Sequence, residues 1–258
     1  MNRPKDKSVA AIILAAGKGV RMKSDAPKVL NPVCGRPMLA YVLETCRQAG
    51  CDELIVVIGH QAERVRQAFP AADWPVTWVE QTPQLGTGHA VMVCRGELER
   101  LSGPVLVLAG DGPLIHAATL KKLLATHVRS GAACTLATSI LDDPAHYGRI
   151  VRDERGELAA IVEYLDADEK QRQIKEVNVS IYCFDAAALA AVLGKLTNHN
   201  AKGEYYLTDA LALLRADGKK VAAVAAVPSE EVLSINTIEE LRQVEAILAR
   251  RQGRGVRC

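Results

Sequence analysis

A basic turn that contains glycine is the strongest chemical signal in the chain, and it follows the apolar residues 9–14. Gly17 and Gly19 allow the backbone to turn sharply and to direct its N–H groups at an anion. The pattern lacks the third glycine of the dinucleotide fingerprint, where Met22 stands, so an NAD-linked oxidoreductase is a disfavoured alternative. The turn is suited to a polyphosphate because four cations lie within eleven residues: Lys18, Arg21, Lys23 and Lys28.

A second tight loop covers residues 81–89, with the sequence QTPQLGTGH, between a predicted strand and a predicted helix. Gly86 and Gly88 flank Thr87 and allow backbone N–H groups to face a ligand. The Gln81 amide both donates and accepts hydrogen bonds, which suits the edge of a pyrimidine. A Gly-Thr-Gly turn is common, so this loop alone is a weak indication.

An aspartate, Asp111, follows the apolar residues 105–110. Ligands of open parallel sheets bind beyond the carboxyl ends of the strands, so this carboxylate is placed for a metal ion or a substrate. The alternative is that Asp111 caps the next helix. A second acidic pair, Asp166 and Asp168, is expected to lie in a solvated turn.

Strands and helices alternate through the first 140 residues, which predicts an α/β fold with a mostly parallel sheet. Short apolar runs rich in β-branched residues predict buried strands at 9–14, 54–59, 76–79, 105–110 and 133–140. Apolar residues spaced by three and four predict helices at 37–49, 89–101 and 119–129.

The second half of the chain departs from this alternation. Strands predicted at 148–152, 158–162 and 177–184 favour a small antiparallel insertion over one end of the sheet, with helices at 186–196 and 207–216. Thr237 and Glu240 form a capping box that predicts the start of a last helix.

Composition excludes several classes of protein. In this chain of 258 residues, 32 Lys and Arg nearly balance 30 Asp and Glu, so we expect neither nucleic acid nor anionic lipid as a partner. No apolar stretch approaches the roughly 18 residues of a membrane span, and no signal cleavage site follows the N-terminus, which predicts a cytoplasmic protein. Seven cysteines without a C-x-x-C pair do not predict a zinc site, and most are expected to be small buried apolar groups.

Seven motifs in order across residues 9–237 resemble the uridylyltransferase domain of N-acetylglucosamine-1-phosphate uridylyltransferases. They are LAAGKGVRMKSDAPKVL, QLGTGHAV, GDGPL, YGRIVR, IVEYLDA, EYYLTDAL and the segment at Asn236. The resemblance implies a Rossmann-like (GT-A-like) nucleotidyltransferase fold, with a mostly parallel central sheet and a small antiparallel sugar-binding insertion. It implies a nucleotidyltransferase domain over residues 1–236, followed by a C-terminal helix and tail over 237–258.

The same resemblance assigns site residues. Arg21 would face the leaving pyrophosphate, Lys28 would contact phosphates, and Asp111 and Asn236 would hold Mg²⁺. The sugar phosphate would be bound by Gly148, Glu163, Asn178 and Thr208. The nucleotide would be bound by Leu14, Ala15, Ala16, Gly17, Lys28, Gln81, Gly86, Thr87, Ala109 and Gly110.

The implied reaction is Mg²⁺-dependent transfer of UMP from UTP to N-acetylglucosamine 1-phosphate, with no obligate protein partner. A sugar phosphate is largely dianionic at neutral pH, so its oxygen needs no general base. The resemblance also leads us to expect a standalone form, without the left-handed β-helix acetyltransferase domain of many relatives.

Two alternatives stay open. Val179 and Ser180 stand after Asn178 where the family usually has Thr-Gly, so another sugar 1-phosphate, such as N-acetylgalactosamine or glucose 1-phosphate, or CTP is possible. The other alternative is a catalytically silent nucleotide-sugar sensor. Binding alone would not need the whole charge-neutralising set, which argues against a sensor.

Overall fold

The computed structural model describes residues 8–22 and 24–251. Lys23 and residues 252–258 of the predicted tail lie outside these residues. Strands occupy β1 Ala10–Leu14, β2 Pro32–Val33, β3 Arg36–Pro37, β4 Glu53–Ile58, β5 Thr77–Glu80, β6 Pro104–Ala109, β7 Cys134–Ile140, β8 Arg149–Arg152, β9 Leu158–Val162, β10 Glu176–Asp185 and β11 Val221–Ala225. Helices occupy α1 Met38–Ala49, α2 Ala62–Ala68, α3 Thr87–Met92, α4 Arg95–Leu98, α5 Ala117–Ser130, α6 Glu169–Arg172, α7 Ala186–Leu193, α8 Asp209–Ala216 and α9 Ile238–Arg251.

The described strands form one large sheet and a short hairpin of β2 and β3. The large sheet runs in the order β11-β7-β10-β6-β1-β4-β5, and β8 and β9 extend it from β10. Strand β1 pairs in parallel with β4 and β6, β4 with β5, and β11 with β7. The predicted α/β fold with a mostly parallel central sheet is therefore confirmed.

Strand β10 corrects one part of the prediction, because it does not belong to a separate insertion. It lies inside the central sheet and runs antiparallel to both β6 and β7. Only its start reaches the small antiparallel unit, where Val177 pairs with Arg149 of β8. The small unit is therefore the β8-β9 hairpin, attached to the first residues of a ten-residue strand.

The sheet is covered on both faces, as a parallel sheet requires. Ile13 of β1 belongs to one buried cluster, with Leu39 and Leu43 of α1. Its neighbour Ile12 belongs to the opposite cluster, with Leu189 of α7. This alternation along the strand places the two cores on opposite faces of the sheet.

Several local predictions are confirmed. Helix α1 ends at Gly50 in the left-handed conformation, with φ of +97°. The capping box before α9 is formed, since the Thr237 N–H donates to Glu240 Oε2 at 2.8 Å and the Glu240 N–H donates to Thr237 Oγ1 at 3.2 Å. Five cysteines are buried free thiols, as expected: Cys46, Cys51, Cys94, Cys134 and Cys183.

Other elements differ from the prediction. The helix predicted at 89–101 is two helices, α3 and α4, and α2 and β11 were not predicted at all. Asp168 is not merely in a solvated turn, because its side chain caps α6 with Gln171 in a capping box. No helix of the described residues is both long enough and apolar enough to cross a bilayer.

Candidate active site

A cavity of about 410 Å³ opens at the carboxyl ends of β1 and β6. These strands are parallel and in register, with Leu14 opposite Ala109, so their last residues reach the same edge of the sheet. Twelve of the predicted site residues line this cavity: Leu14, Ala15, Ala16, Gly17, Lys28, Gln81, Gly86, Thr87, Ala109, Asp111, Glu163 and Thr208. Nine of the ten predicted nucleotide-binding residues and two of the four predicted sugar-binding residues therefore line one cavity.

The basic turn forms the first wall of the cavity. The Ala15 N–H still donates to Val57 of β4 at 2.8 Å, so the turn leaves the sheet only after this residue. Gly19 has a φ of +61°, and a Cβ atom on it would lie 2.6 Å from Lys28 Cβ. Glycine is therefore required at position 19 for Lys28 to pass close to the turn.

Lys28, Asp111 and Asn236 form a three-residue group beside the phosphate turn. The Lys28 ammonium forms an ion pair with Asp111 Oδ2 and donates to Asn236 Oδ1 at 2.7 Å. The side chains of Lys28 and Asp111 are only 12% and 19% exposed, so water screens the pair weakly. One cation thus lies between the two oxygens that were predicted as metal ligands.

The residues present fit Mg²⁺. A carboxylate oxygen and an amide oxygen already converge on one positive charge, and Mg²⁺ prefers oxygen ligands, keeping several waters and binding substrate phosphates. The described residues hold no group of three or more His, Cys, Asp or Glu side chains with metal-binding geometry. The protein would therefore supply Asp111 and Asn236, and the remaining ligands would be phosphate oxygens and water.

Asp111 does not cap the following helix, which was the alternative prediction. Helix α5 begins six residues later, and a distant carboxylate serves its first turn. Glu231 accepts hydrogen bonds from the His116 N–H at 2.9 Å and from Thr119 Oγ1 at 2.8 Å. The Asp111 carboxylate therefore faces the cavity and is not used to cap α5.

The second loop is held in place by the segment around Tyr205. The Gly88 N–H donates to the Tyr205 carbonyl at 2.7 Å, and the Leu207 N–H donates to Thr87 Oγ1 at 3.1 Å. A Cβ atom on Gly86, which has a φ of +102°, would lie 2.6 Å from the same carbonyl. Glycines at these positions therefore allow two loops to pack together at the cavity wall.

Another part of the cavity lining carries two of the four predicted sugar-binding residues. Glu163 and Thr208 line it, and a Cβ atom on Gly148 would lie 3.5 Å from the Glu163 carboxyl group. Burial raises the pKa of Glu163, while Lys202 and a hydrogen bond with Thr208 oppose that shift. A half-buried carboxylate beside a hydroxyl can accept hydrogen bonds from sugar hydroxyl or amide groups.

Asn178 does not line the cavity, but its side chain forms hydrogen bonds with two residues that do. Its Nδ2 donates to Tyr182 Oη at 2.7 Å, and its Oδ1 accepts from the Ser180 N–H at 3.0 Å. Ser180 has a φ of +56° at an irregularity in the pairing of β10 with β7. That conformation favours glycine, the residue that the family resemblance leads us to expect at this position.

Four more of the predicted residues are absent from the cavity lining. Arg21 is exposed in the 3₁₀ turn Val20–Met22, whose last residue is buried. The Gly110 N–H donates to the Leu14 carbonyl oxygen at 2.9 Å, so this glycine extends the pairing of β6 with β1. Gly148 lies close to the Glu163 carboxyl group, and Asn236 accepts a hydrogen bond from the Lys28 ammonium.

The cavity also contains residues that the sequence reasoning missed, chiefly Tyr206 and Lys202. Tyr206 is 8% exposed, burial raises its pKa to about 12, and its hydroxyl has no hydrogen-bond partner among the described residues. A buried tyrosine hydroxyl normally has a partner, so a ligand group is expected there. The motif EYYLTDAL contained this signal, but only Thr208 was assigned from it.

Comparisons with known proteins identify the family of the chain. Residues 11–181 match the family described as the MobA-like NTP transferase domain. The chain is 50% identical over 238 residues to the "Bifunctional protein GlmU" of Heliobacterium modesticaldum, covering 92% of this chain and 51% of that protein. It is 46% identical over 245 residues to the protein of the same name from Caldanaerobacter subterraneus subsp. tengcongensis, covering 95% and 52%. The chain thus spans about half the length of these relatives.

Solved structures show the same fold at low sequence identity. A UDP-glucose pyrophosphorylase complexed with UDP-glucose superimposes with a TM-score of 0.77 at 16% identity, over 95% of this chain and 99% of that one. A putative glucose-1-phosphate thymidylyltransferase from Bacillus anthracis gives a TM-score of 0.75 at 18% identity, over 93% and 95%.

Proposed function

Because the chain belongs to the MobA-like NTP transferase domain family, we propose that it transfers UMP from UTP to N-acetylglucosamine 1-phosphate and releases pyrophosphate. The motif resemblance favours this amino sugar over others, and the relatives at 50% and 46% identity are both named "Bifunctional protein GlmU". The observation that carries the proposal is the single cavity in which the basic turn, the Gln81 loop and the Glu163 wall face one another.

In the proposed reaction, a phosphate oxygen of the sugar phosphate attacks the α-phosphorus of UTP. The new P–O bond forms as the bond to the β-phosphate oxygen breaks, and pyrophosphate leaves with the electron pair. The attacking oxygen is already an anion, so the site has to align two anions and neutralise charge. Lys28 would do this at the phosphates, and Arg21, exposed in its turn, would meet the leaving pyrophosphate from outside the cavity wall.

Magnesium would supply further charge neutralisation at the phosphates. Asp111 and Asn236 are its proposed protein ligands, and their shared contact with the Lys28 ammonium supports this assignment. For these oxygens to become available, the ammonium would have to turn toward the phosphates. Lys28 would thus exchange one anionic partner for another when UTP binds.

The sugar half of the proposal rests on Glu163, Thr208 and Tyr206, with Asn178 holding Tyr182 and Ser180 from behind. Gly148 would contribute by leaving room beside the Glu163 carboxyl group. We also propose that residues 1–236 form the catalytic domain and that 237–258 form an appended helix and tail. In this arrangement Val244 and Leu248 of α9 pack in the buried cluster that contains Ile13.

The direct test is pyrophosphate release from UTP and N-acetylglucosamine 1-phosphate with Mg²⁺. Glucose, galactosamine and N-acetylgalactosamine 1-phosphates form the sugar panel, and CTP is the nucleotide alternative. We expect the highest kcat/KM with UTP and N-acetylglucosamine 1-phosphate, and no turnover in excess EDTA. Nucleotide-sugar binding without turnover of any pair would instead identify a sensor.

A further inference from the structure

The Gln81 side chain forms two hydrogen bonds through a single atom. Its Nε2 lies 2.9 Å from the Gly86 carbonyl oxygen and 3.1 Å from His89 Nδ1. A carbonyl oxygen only accepts hydrogen bonds, so the amide atom that faces Gly86 has to be the NH₂ group. This contact therefore identifies which end of the amide is the nitrogen, although the two ends have nearly the same shape.

The second amide proton points to His89. Nδ1 of this imidazole can accept it only with a free lone pair, so the imidazole carries its proton on Nε2. His89 lies in the first turn of α3, two residues after Thr87, whose Oγ1 accepts from the Leu207 N–H. His89 Nδ1 therefore lies on a helix whose first residue is hydrogen-bonded to Leu207.

These two contacts decide which end of the amide the cavity meets. Gln81 lines the cavity although the residue is only 3% exposed. Both NH₂ protons are used, and no donor among the described residues reaches Oε1. The part of Gln81 left for a ligand is a hydrogen-bond acceptor.

An acceptor at this place distinguishes between pyrimidines. Uracil presents an N–H donor at N3, whereas cytosine presents a lone pair at N3 and an amino group one ring position away. Cytosine would have to shift along the ring edge to satisfy the same oxygen, which would move its phosphates away from the basic turn. A site built for one hydrogen-bonding pattern rejects the other because a buried polar group is left unpaired.

We infer that His89 is a positioning residue that sets the preference for uracil over cytosine, by holding the Gln81 amide with its oxygen toward the base. The inference rests on the proposed function in one respect, that a pyrimidine nucleotide occupies the cavity. With an acceptor on each side of the NH₂ group, the amide has one orientation. Without His89, only the Gly86 carbonyl holds it, and the amide can turn its NH₂ group to N3 of cytosine.

Two substitutions separate this role from simple packing. His89→Leu removes the acceptor, and it should fold because the side of His89 that borders a second cavity, of about 420 Å³, has apolar neighbours including Leu85, Met92 and Leu196. His89→Asn keeps an acceptor, since its Oδ1 can stand close to the position of Nδ1. The thermal midpoint of each variant is measured first.

The readout is the ratio of kcat/KM for UTP to kcat/KM for CTP, with the ratio of their dissociation constants measured by calorimetry without sugar phosphate. We expect the wild type to prefer UTP, His89→Leu to lower the ratio about tenfold, and His89→Asn to stay within about threefold of wild type. A merely structural role would weaken both nucleotides equally and leave the ratio unchanged.

An unchanged ratio in His89→Leu would overturn the inference, and so would a loss in His89→Asn equal to that in His89→Leu. A wild type that binds UTP and CTP equally would overturn it as well. If no sugar phosphate is turned over, the proposed function fails, but the calorimetric ratio still tests His89. If His89→Leu does not fold, the same ratio is measured with His89→Phe, which also lacks an acceptor.

Discussion

The Lys28 ammonium donates to the Asn236 amide oxygen at 2.7 Å, although the two residues are 208 positions apart in the chain. The same ammonium pairs with Asp111, so one cation joins the basic turn, the end of β6 and the residue before the last capping box. A divalent ion bound by these two oxygens would have to displace the lysine. On the proposed mechanism, the lysine and the ion would therefore compete for the two oxygens until the phosphates bound the lysine.

Replacing Asp111 by Asn should lower kcat at least about 100-fold at saturating Mg²⁺, because the site loses its one predicted carboxylate ligand. The amide can still accept from Lys28, so the thermal midpoint should move by less than about 4 °C. Asp142→Asn is the matched control, since Asp142 is fully exposed and pairs with Lys175 at 3.5 Å. Wild-type turnover in Asp111→Asn would remove this residue from the mechanism.

The parts of this group differed in how far the sequence could predict them. Asp111 was identified because a carboxylate that ends a buried parallel strand reaches the ligand edge of the sheet. Asn236 was found only through the family resemblance, since an asparagine before a helix cap is usual in turns. The contact between Lys28 and both oxygens depends on how three distant segments meet, which no local pattern encodes.

The prediction of the sheet from the sequence was limited in the same way. Apolar runs of five or six residues predicted β1, β4 and β6 within one residue at each end. Strand β11 was missed because its sequence, VAAVA, is mostly alanine, which has little β propensity. The position of β10 between β6 and β7 was also missed, because the strand order of a sheet is set by long-range packing.

Ser180→Gly should stabilise the protein, because Ser180 has a φ of +56° and the left-handed conformation costs about 1–2 kcal/mol in a residue with a side chain. We expect a gain of about 1 kcal/mol and a rise of about 2–4 °C in the thermal midpoint. Because Ser180 lines the cavity, the KM for the sugar phosphate should also change.

The matched control for this change is Ala145→Gly. Ala145 has a φ of +41° and is not part of the cavity lining, so the variant should gain similar stability with an unchanged KM. Thermal unfolding and steady-state kinetics of both variants test the prediction. Equal stability of Ser180→Gly and wild type would contradict the assignment of strain to position 180.

Arg149→Met should destabilise the protein by roughly 3 kcal/mol, because Arg149 is 2% exposed and donates to several backbone carbonyl groups. Its guanidinium donates to the backbone carbonyl oxygens of Ala145 at 2.9 Å, of Arg172 at 3.1 Å and of Tyr147. Methionine fills the space but leaves these carbonyl oxygens unpaired. Denaturant unfolding at constant m value measures the loss.

A neighbouring arginine gives the control for Arg149. Arg152 is exposed to solvent and pairs with the half-buried Glu176 at 2.6 Å, so Arg152→Met should cost less than Arg149→Met. Because the loop held by Arg149 leads directly into Gly148 and the Glu163 wall, Arg149→Met should also raise the KM for the sugar phosphate more than the KM for UTP. Equal effects on both KM values would mean that the arginine supports the fold without shaping the sugar side.

Glu163→Gln should make the protein more stable at pH 8 and weaken its sugar binding. Burial raises the pKa of Glu163 in the folded state, so folding favours the protonated carboxyl group. That contribution is present below the unfolded pKa and is lost as the pH rises through the raised, folded pKa. At pH 8 the ionised, half-buried carboxylate is therefore unfavourable, and a neutral glutamine avoids this cost.

The difference between the two thermal midpoints should shrink as the pH falls toward the ordinary carboxyl pKa of 4.5, where the wild-type carboxyl group also becomes neutral in the folded protein. The exposed Glu154→Gln should give no such pH-dependent difference. The KM for the sugar phosphate should rise about tenfold at pH 8 in Glu163→Gln, since an amide oxygen is a weaker acceptor than a carboxylate. A variant that loses stability at pH 8 would show that the Glu163 carboxylate is compensated within the folded chain, which would argue against its availability for a sugar.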